Sequence, residues 1–253
     1  MRFSLHVGIA SEHPGLLPLD YRQGFASFLK AVLKRYNPSV FRLFYQSKVK
    51  KPFCFSVYFP RLDRNHPIEK GPNAETSYLR AGSQAWWNFS FADERIGVEV
   101  LNAFVRWGQA RRSHAWRKQW EFSLQRLRVH PPAPPFAQEE GIFRTLSPFL
   151  VKDPQAPHRY LTPQDEVFEA ALQFLVGELS QSFLGQRLVL EWSRCDFSAL
   201  RPQVVWHYGQ YMTGSEGVLR LAGPPALLQL LYQAGIGVRR SQGFGFLEKG
   251  TAL

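Results

Sequence analysis

The sequence has few cysteines and no long apolar run. Its two cysteines, Cys54 and Cys195, are too few and too far apart for a disulfide framework or a zinc site, so we expect thiols in a reducing compartment. The first residues contain no apolar signal core, and no run of 18 apolar residues occurs anywhere. We therefore expect neither a secretory leader nor a membrane-spanning helix, and a cytoplasmic protein.

Acidic residues are also scarce. The 253 residues include 20 Asp and Glu against 31 Lys and Arg, which gives a net charge of +11. Because an excess of positive charge attracts polyanions, this balance favours a nucleic acid partner, and an aromatic content of 15% adds rings that could stack on the bases of single-stranded RNA. No acidic pair, metal-ligand spacing or nucleotide-binding P-loop occurs, which argues against a phosphate-dependent metabolic enzyme and predicts no cofactor and no metal.

What the chain does contain is a glycine-rich basic segment near its end, GIGVRRSQGFGF at 235–246. Its glycines permit positive φ angles and close approach of the backbone to another group. Between them lie Arg239, Arg240 and Ser241, whose side chains are types that bind phosphate. A helical pattern precedes the segment and a strand-like alternation follows it, so the sequence predicts a helix–loop–strand unit around an anion. The alternative is a glycine-rich turn with two solvated arginines.

Basic residues recur in three further places. A helix that begins near Pro18 is predicted to carry a basic line on its exposed face, for which the alternative is an ordinary solvated surface. The loop after a second helix, which ends near Tyr45, is rich in lysine. Residues 108–120 interleave basic residues with Trp116 and Trp120, which suits RNA binding by stacking, or else a helix end whose cations complement the helix dipole. The basic residues of the three places are Arg22, Lys30 and Lys34; Lys48, Lys50 and Lys51; and Arg111, Arg112, Arg117 and Lys118.

Hydrophobic periodicity predicts an α+β protein built from two tandem ferredoxin-like, or RRM-like, β-α-β-β-α-β domains with a basic helical insertion. We place the first domain at 1–130, a stiff proline-rich linker at 131–135 and the second domain at 136–253. In the second domain a long helix is predicted from about Pro163. The sequence predicts three strands there, at 187–192, 202–208 and 217–223.

Four segments together resemble the CRISPR-associated repeat-processing endoribonucleases, the Cas-six family of the RAMP superfamily. They are the opening MRF, the helix start LPLDY, the segment TLSPFLV and the glycine-rich segment. The resemblance implies paired ferredoxin-like domains that bind a CRISPR repeat stem-loop, cut it without metal to leave a 2′,3′-cyclic phosphate, and keep the product as guide RNA. Other CRISPR effector proteins are implied as partners. The resemblance implies that these residues of the loop contact RNA: Gly237, Arg239, Arg240, Ser241, Gly243, Phe244 and Gly245.

The chemistry of cleavage is where the sequence departs from the family. Tyr45 occupies the place of the histidine found in many relatives, and Lys51 that of a lysine a few residues further on. A tyrosine with an ordinary pKa near 10 is a poor base at neutral pH. One hypothesis is cleavage that depends on arginine and lysine, similar to the family members of type IV systems. Its candidate catalytic residues are Arg22, Arg35, Arg42, Tyr45 and Lys51.

Two further hypotheses stay open at the level of sequence. His13 or His66, the histidines on either side of the gap in the first third of the chain, could supply the base. Alternatively, the protein binds repeat RNA without cutting it, as a subunit of an effector complex. A general RNA-coating subunit without repeat specificity is a further alternative. We favour cleavage over binding alone.

Overall fold

The computed structural model describes residues 1–72, 74–156 and 158–250. The strands in the described residues are β1 (Arg2–Ser11), β2 (Leu16–Pro18), β3 (Phe53–Tyr58), β4 (Ile68–Glu69), β5 (Tyr78–Arg80), β6 (Gln84–Phe91), β7 (Ser113–Trp116), β8 (Trp120–Val129), β9 (Glu140–Thr145), β10 (Val151–Lys152), β11 (Tyr160–Leu161), β12 (Leu200–His207), β13 (Gln210–Ala222) and β14 (Leu247–Lys249). The helices are α1 (Arg22–Tyr36), α2 (Pro38–Tyr45), α3 (Glu94–Gln109), α4 (Phe168–Leu184) and α5 (Pro225–Ala234).

The first half forms an antiparallel sheet in the order β3–β6–β1–β8–β7. Alternate residues of β1, namely Phe3, Leu5 and Val7, are fully buried beneath the helices, because side chains of a strand point to opposite faces in turn. Phe28 of α1 and Phe104 of α3 fill the same core and lie 5.8 Å apart between ring centroids. The order of β3, β6, β1 and β8 is that of a ferredoxin-like unit, with β7 added at one edge.

The second half repeats this arrangement. Its sheet has the order β12–β13–β9–β14, and all neighbours pair antiparallel. Helices α4 and α5 contribute Phe168, Leu172, Leu228 and Leu231 to a second buried cluster. The predicted tandem ferredoxin-like fold is therefore correct. The predicted domain limits at 130 and 136 stay a prediction; the buried cluster of the first half ends at Phe122 and that of the second begins at Phe143.

Side-chain caps explain where two helices begin. The Asn37 side chain accepts a hydrogen bond from the Val40 amide at the start of α2, and Asp93 does the same for the Ile96 amide at the start of α3. In contrast, α1 begins at Arg22 because residues 19–21 form a turn, in which the Tyr21 amide donates to the Pro18 carbonyl.

The remaining differences also have local causes. Residues 163–167 form turns, with Asp165 accepting from the Thr162 amide, so α4 begins five residues later than predicted, at Phe168. The predicted strand at 187–192 is wrong, because main-chain groups of this segment bond to a side chain of α4. The Gln173 Oε1 accepts a hydrogen bond from the Leu190 amide, and the Gln173 Nε2 donates to the Leu190 carbonyl. The predicted strands near 202–208 and 217–223 correspond to β12 and the end of β13.

After α3 ends at Gln109, residues 110–120 form no helical insertion. Strands β7 and β8 form a hairpin in which Trp116 pairs with Trp120. Arg117 and Lys118, in the turn of this hairpin, have φ angles of +50° and +59°, which a right-handed α-helix does not contain. A separate three-stranded sheet, β2–β5–β4, lies in the first half as well.

Arg2 ties the two halves together. Its Nη2 donates to the carbonyls of Tyr232 at 2.6 Å and Leu247 at 2.5 Å, and its Nη1 pairs with Glu248 at 2.9 Å. The guanidinium also lies 3.5 Å from the centroid of the Tyr232 ring. Burial lowers the pKa of Arg2, an effect that Tyr232 and Glu248 offset. None of the helices in the described ranges has the length and apolar character needed to cross a membrane.

Candidate RNA interface

The glycine-rich loop, residues 235–246, leads from α5 to β14 and is bonded along its length to the TLSP segment. The Gly245 amide donates to the Pro148 carbonyl, and the Val238 amide donates to the Leu150 carbonyl, both at 2.9 Å. Gly245 has φ +68°, and a Cβ there would lie 2.0 Å from the Ile236 carbonyl oxygen. The two segments that the sequence singles out therefore form one unit, in which close packing of backbone on backbone requires glycine.

Arg239 holds the outer side of this loop. It has the left-handed backbone conformation at φ +56°. Its Nε donates to the Tyr160 hydroxyl at 2.9 Å and its Nη1 to the Gln242 Oε1 at 3.1 Å. The side chain is only partly buried, so its guanidinium has both a fixed position and access to solvent. Such an arrangement is suited to binding a phosphate.

Arg240 faces the other way. Its Nη1 donates to the Ala234 carbonyl at 2.6 Å. Burial lowers the pKa of Arg240 to about 10, and the nearby Cys54 partly offsets this decrease. The Cys54 thiol is fully buried, and burial raises its pKa to about 12. Arg240 therefore stabilises the loop; it is also partly exposed, so its predicted contact with RNA stays a prediction.

Arg22 meets the loop from the start of α1. It is buried, with 9% of its surface exposed, and therefore does not continue the exposed basic line that the sequence predicts. Its Nε donates to the Gly243 carbonyl at 3.2 Å, and its guanidinium lies 5.0 Å from the centroid of the Phe244 ring. Phe244 is fully buried. We therefore place its ring beneath the arginine as support, in place of the predicted direct contact with RNA.

His207, at the end of β12, is a residue of this site that the sequence did not indicate. It is fully buried, its ring lies 5.2 Å from Phe244, and its Nε2 is 3.3 Å from the Gln242 Oε1. Burial, followed by the charges of Arg22 and Arg239, lowers the pKa of His207 to about 4, although Gln242 acts in the opposite direction. Its Nδ1 has no hydrogen-bond partner among the described residues. The ring is consequently neutral at pH 7.

Lys30 of α1, Tyr45 of α2 and Lys51, just before β3, form a group near this loop. The Nζ atoms of Lys51 and Lys30 lie 4.4 Å and 5.5 Å from the centroid of the Tyr45 ring. Burial, and then the proximity of Tyr208, raises the pKa of Tyr45 above its usual range. Burial, and then the charge of Lys30, lowers the pKa of Lys51. Tyr45 thus keeps its proton and is excluded as a base, whereas Lys51 releases a proton more readily than an ordinary lysine.

Lys51 and the loop share a groove of about 260 Å³. One wall is formed by Lys50 and Lys51, the second by 237–241 and the third by α4. Lys50 donates to the main-chain carbonyl of Glu178 at 2.8 Å and to its carboxylate at 3.3 Å, so its charge is partly neutralised. Ser241 lines the same groove and is partly exposed. The groove is thus a candidate anion site whose cations come from both halves of the chain.

Several predicted cations lie away from this groove. Arg35 is exposed at the far end of α1, about 20 Å from Arg22 at the rise of 1.5 Å per helical residue, so it cannot join Arg22 at one phosphate. Arg42, Lys34 and Lys48 are exposed on α2, on α1 and in the lysine-rich loop. They remain available to the backbone of a longer RNA.

The basic hairpin forms a separate surface. Strands β7 and β3 are the opposite edges of the first sheet, about 19 Å apart at the usual strand spacing. Arg117 donates to the buried Asp20 carboxylate at 2.7 Å, and Arg112 donates to the Tyr36 hydroxyl at 3.2 Å. Arg111 and Lys118 are exposed. The neighbouring tryptophans, Trp116 and Trp120, are 8% and 3% exposed, so they do not offer the stacking surface that the sequence suggested.

The two alternative bases lie elsewhere. His13 is exposed in the loop before β2, 6.0 Å from the Tyr78 ring, and His66 is exposed in the loop before β4. In the part of the chain that the structure describes, neither makes a hydrogen bond or ring contact with Arg22 or the glycine-rich loop. Within the described ranges, no three His, Cys, Asp or Glu side chains are grouped so as to hold a metal ion.

The chain is similar to one protein family and to several solved structures. Residues 130–249 match the family described as CRISPR associated protein Cas6, C-terminal. A solved structure described as an RAMP protein binding different RNA substrates is 18% identical, with a TM-score of 0.76 over 99% of this chain and 100% of that chain. A Cas6-related protein from Pyrococcus furiosus is 16% identical, with a TM-score of 0.77 over the whole of both chains.

A Cas6 product complex is also similar, at 16% identity and a TM-score of 0.63 over 99% of this chain and 100% of that chain. At such identities the likeness establishes the fold. No curated protein matches the chain.

Proposed function

Because residues 130–249 match the C-terminal region of the Cas6 family, we propose that the protein is a metal-independent endoribonuclease acting on precursor CRISPR RNA. It binds the repeat stem-loop, cuts it through attack of a 2′-hydroxyl on the adjacent phosphate, and retains the guide RNA. The observation that carries this proposal is the approach of Arg22 and Lys51, both from the first half of the chain, to the glycine-rich loop that carries Arg239.

Each of these cations has a role in the proposed reaction. The 2′-oxygen forms a bond to phosphorus, the bond from phosphorus to the 5′-oxygen breaks, and the phosphorane between them carries extra negative charge. Arg239 and Arg22 stabilise that charge, since fixed donors act strongly on charge that develops in a transition state. Lys51 gives its proton to the departing 5′-oxygen, and its lowered pKa favours this transfer.

The proton of the 2′-hydroxyl passes to solvent in this scheme. Tyr45 keeps its own proton, and His207 is buried, so neither accepts it. In-line alignment of the hydroxyl and neutralisation of the phosphate then supply most of the rate enhancement. We expect slow cleavage, with kcat limited by the absence of a general base.

The same absence supports a second candidate function, binding of repeat RNA without cleavage. A protein that only retains RNA requires cations and a fixed loop but no proton acceptor. Lys30, Lys34 and Lys48 extend the positive surface beyond the groove, and we propose that they contact phosphates of the stem. Such contacts weaken as salt concentration rises, because binding releases counterions.

The decisive experiment is incubation of the protein with a CRISPR repeat stem-loop in EDTA, followed by mapping of the product ends. One cut at the 3′ base of the stem that leaves a 2′,3′-cyclic phosphate is expected. A matched RNA with a 2′-deoxy nucleotide at the cut position should bind equally well and stay intact. If the unmodified repeat binds tightly but stays intact at high enzyme excess, the second candidate function replaces the first.

A further inference from the structure

The open face of the first sheet carries a row of side chains that neither α1 nor α3 covers. In the strand register, Tyr58 of β3 pairs with Trp86 of β6, Trp86 pairs with His6 of β1, and His6 pairs with Arg126 of β8. Directly paired residues of antiparallel strands place their side chains on the same face. Their neighbour Trp87 is fully buried on the helical face. The four side chains therefore form one row, defined here as the aromatic row, across the other face.

The aromatic row is accessible. Tyr58 is 53% exposed, Arg126 is exposed, and His6 and Trp86 are each partly exposed. The rings of His6 and Trp86 are stacked, with centroids 4.8 Å apart and planes 25° from parallel. A stacked aromatic pair on two inner strands of a five-stranded sheet offers a flat apolar surface beside a guanidinium.

Amide groups border the row on one side. Gln84 pairs with Gly8, the next open-face position of β1, and the side chain of Gln125 lies over that glycine. A Cβ on Gly8 would lie 2.3 Å from the Gln125 Nε2, so the absence of a side chain is what makes room for this amide. Amides both donate and accept hydrogen bonds, as the edges of nucleic acid bases do.

We propose that the aromatic row binds unpaired nucleotides of RNA by stacking, at a site separate from the glycine-rich loop. Aromatic rings beside an arginine and amides match single-stranded RNA, because every base has a flat face and a polar edge. The row contains no acidic side chain. This inference rests on the proposed function only in taking the ligand to be RNA.

A cleft of about 800 Å³ extends from Tyr58 of the row to Arg22, whose Nε donates to Gly243 of the loop. Tyr58 and Arg22 both line it, and Trp206 and Tyr211 of the β12–β13 hairpin line the opposite wall with rings 4.8 Å apart. An RNA strand that leaves the loop can therefore pass through the cleft and reach the row. The unpaired segment next to a stem is the part of such an RNA that could enter.

Two RNA probes separate the row from the loop. One is an unstructured octamer of uridine, and the other is a bare stem-loop without flanking nucleotides. Tyr58→Ala and Arg126→Ala alter exposed side chains and leave the core intact. Tyr58→Ala is expected to weaken binding of the octamer about tenfold, the usual effect of losing one base-stacking ring, and Arg126→Ala to weaken it through the loss of a cation; each should change binding of the stem-loop less than twofold. Phe174→Ala, equally exposed on α4, is the matched control and should change neither.

A second measurement does not depend on any variant. Octamers containing 5-bromouridine are irradiated on the wild-type protein, and the crosslinked peptides are identified by mass spectrometry. Crosslinks at Tyr58, Trp86 or His6 are expected. Crosslinks only elsewhere, or octamer affinity unchanged in both variants, would overturn the proposal. Loss of stem-loop binding or cleavage bears instead on the proposed function, so failures of the two are told apart.

Discussion

The Arg22 Nε donates to the main-chain carbonyl of Gly243, a residue 221 positions later in the chain. The bond fixes the start of α1 against the glycine-rich loop and holds the guanidinium over Phe244. An arginine whose donor is used in this way has little rotational freedom, so it need not be ordered when a phosphate arrives. This contact makes Arg22 the first residue to test.

Replacement of Arg22 by alanine is expected to slow cleavage about 10²- to 10³-fold, the usual effect of losing one fixed donor to transition-state charge. Single-turnover cleavage of the repeat in EDTA is the measurement. Arg35→Ala is the control, since that arginine belongs to the same helix but lies away from the loop. We expect it to change the rate less than twofold. Equal losses for both variants would mean that Arg22 acts only through overall charge.

The proposed acid role of Lys51 predicts a specific pH profile. Cleavage should decline as pH rises through the lowered pKa of Lys51, because the ammonium then loses the proton it must donate. Lys30→Ala removes a nearby like charge, so the decline should move to higher pH. The rate is measured under single-turnover conditions with saturating enzyme.

Lys34→Ala provides the comparison, since Lys34 lies one turn further along α1 and is exposed. It should leave the position of the decline unchanged, even if it lowers affinity for RNA. A decline that stays in place in Lys30→Ala would assign the titration to another group.

His207 predicts a pH dependence of stability. Its pKa in the folded protein is about 4, whereas a histidine in an unfolded chain titrates near 6.5. Between these values the unfolded chain holds the proton and the folded chain does not. The free energy of unfolding should therefore fall as pH falls from about 6.5 to 4, by at most about 3 kcal/mol from this residue.

Urea denaturation of the wild type and of His207→Gln at pH 7.5 and 4.5 measures this effect. The variant should lose less stability on acidification than the wild type does. His66→Gln, at an exposed loop histidine, should behave as the wild type. An identical pH dependence in wild type and His207→Gln would contradict the buried, neutral state described for this ring.

Two glycines with similar backbone angles allow strain and crowding to be measured separately. Gly185 has φ +72° and no described atom within 4 Å of the position that a Cβ would take, whereas Gly245 has φ +68° and the Ile236 carbonyl oxygen 2.0 Å from that position. Gly185→Ala should lower the free energy of unfolding by about 1 kcal/mol through backbone strain alone. Gly245→Ala should lower it by at least about 3 kcal/mol, since backbone must also move. Equal effects would show that the loop yields easily.

The sequence predicts the fold and the family well, because both depend on periodic or contiguous patterns. Alternating residues in β1 and the caps at Asn37 and Asp93 are local signals, and the glycine-rich loop is contiguous with its arginines. The strand predicted at 187–192 failed because Gln173, a residue of α4, takes the hydrogen bonds that a sheet neighbour would otherwise provide. The arginine-dependent type IV assignment stays a prediction.

The candidate site was harder to predict, because it depends on the direction in which each side chain points in the folded chain. Arg239 and Arg240 are adjacent in sequence, yet the first donates to Tyr160 and Gln242 and the second to the Ala234 carbonyl. Arg22 shares a helical line with Lys30 but turns inward to a loop formed at the other end of the chain. His207 gave no signal, since a single histidine in a strand pattern does not reveal the partners that reach it from elsewhere.

The separation of 221 residues between Arg22 and Gly243 has a consequence for biosynthesis. At the usual speed of translation, roughly 10 to 40 s pass between the synthesis of the arginine and that of its partner. The first sheet can form during this interval, but the cation cluster cannot. A chain whose synthesis stops before Gly243 therefore lacks the assembled cation cluster.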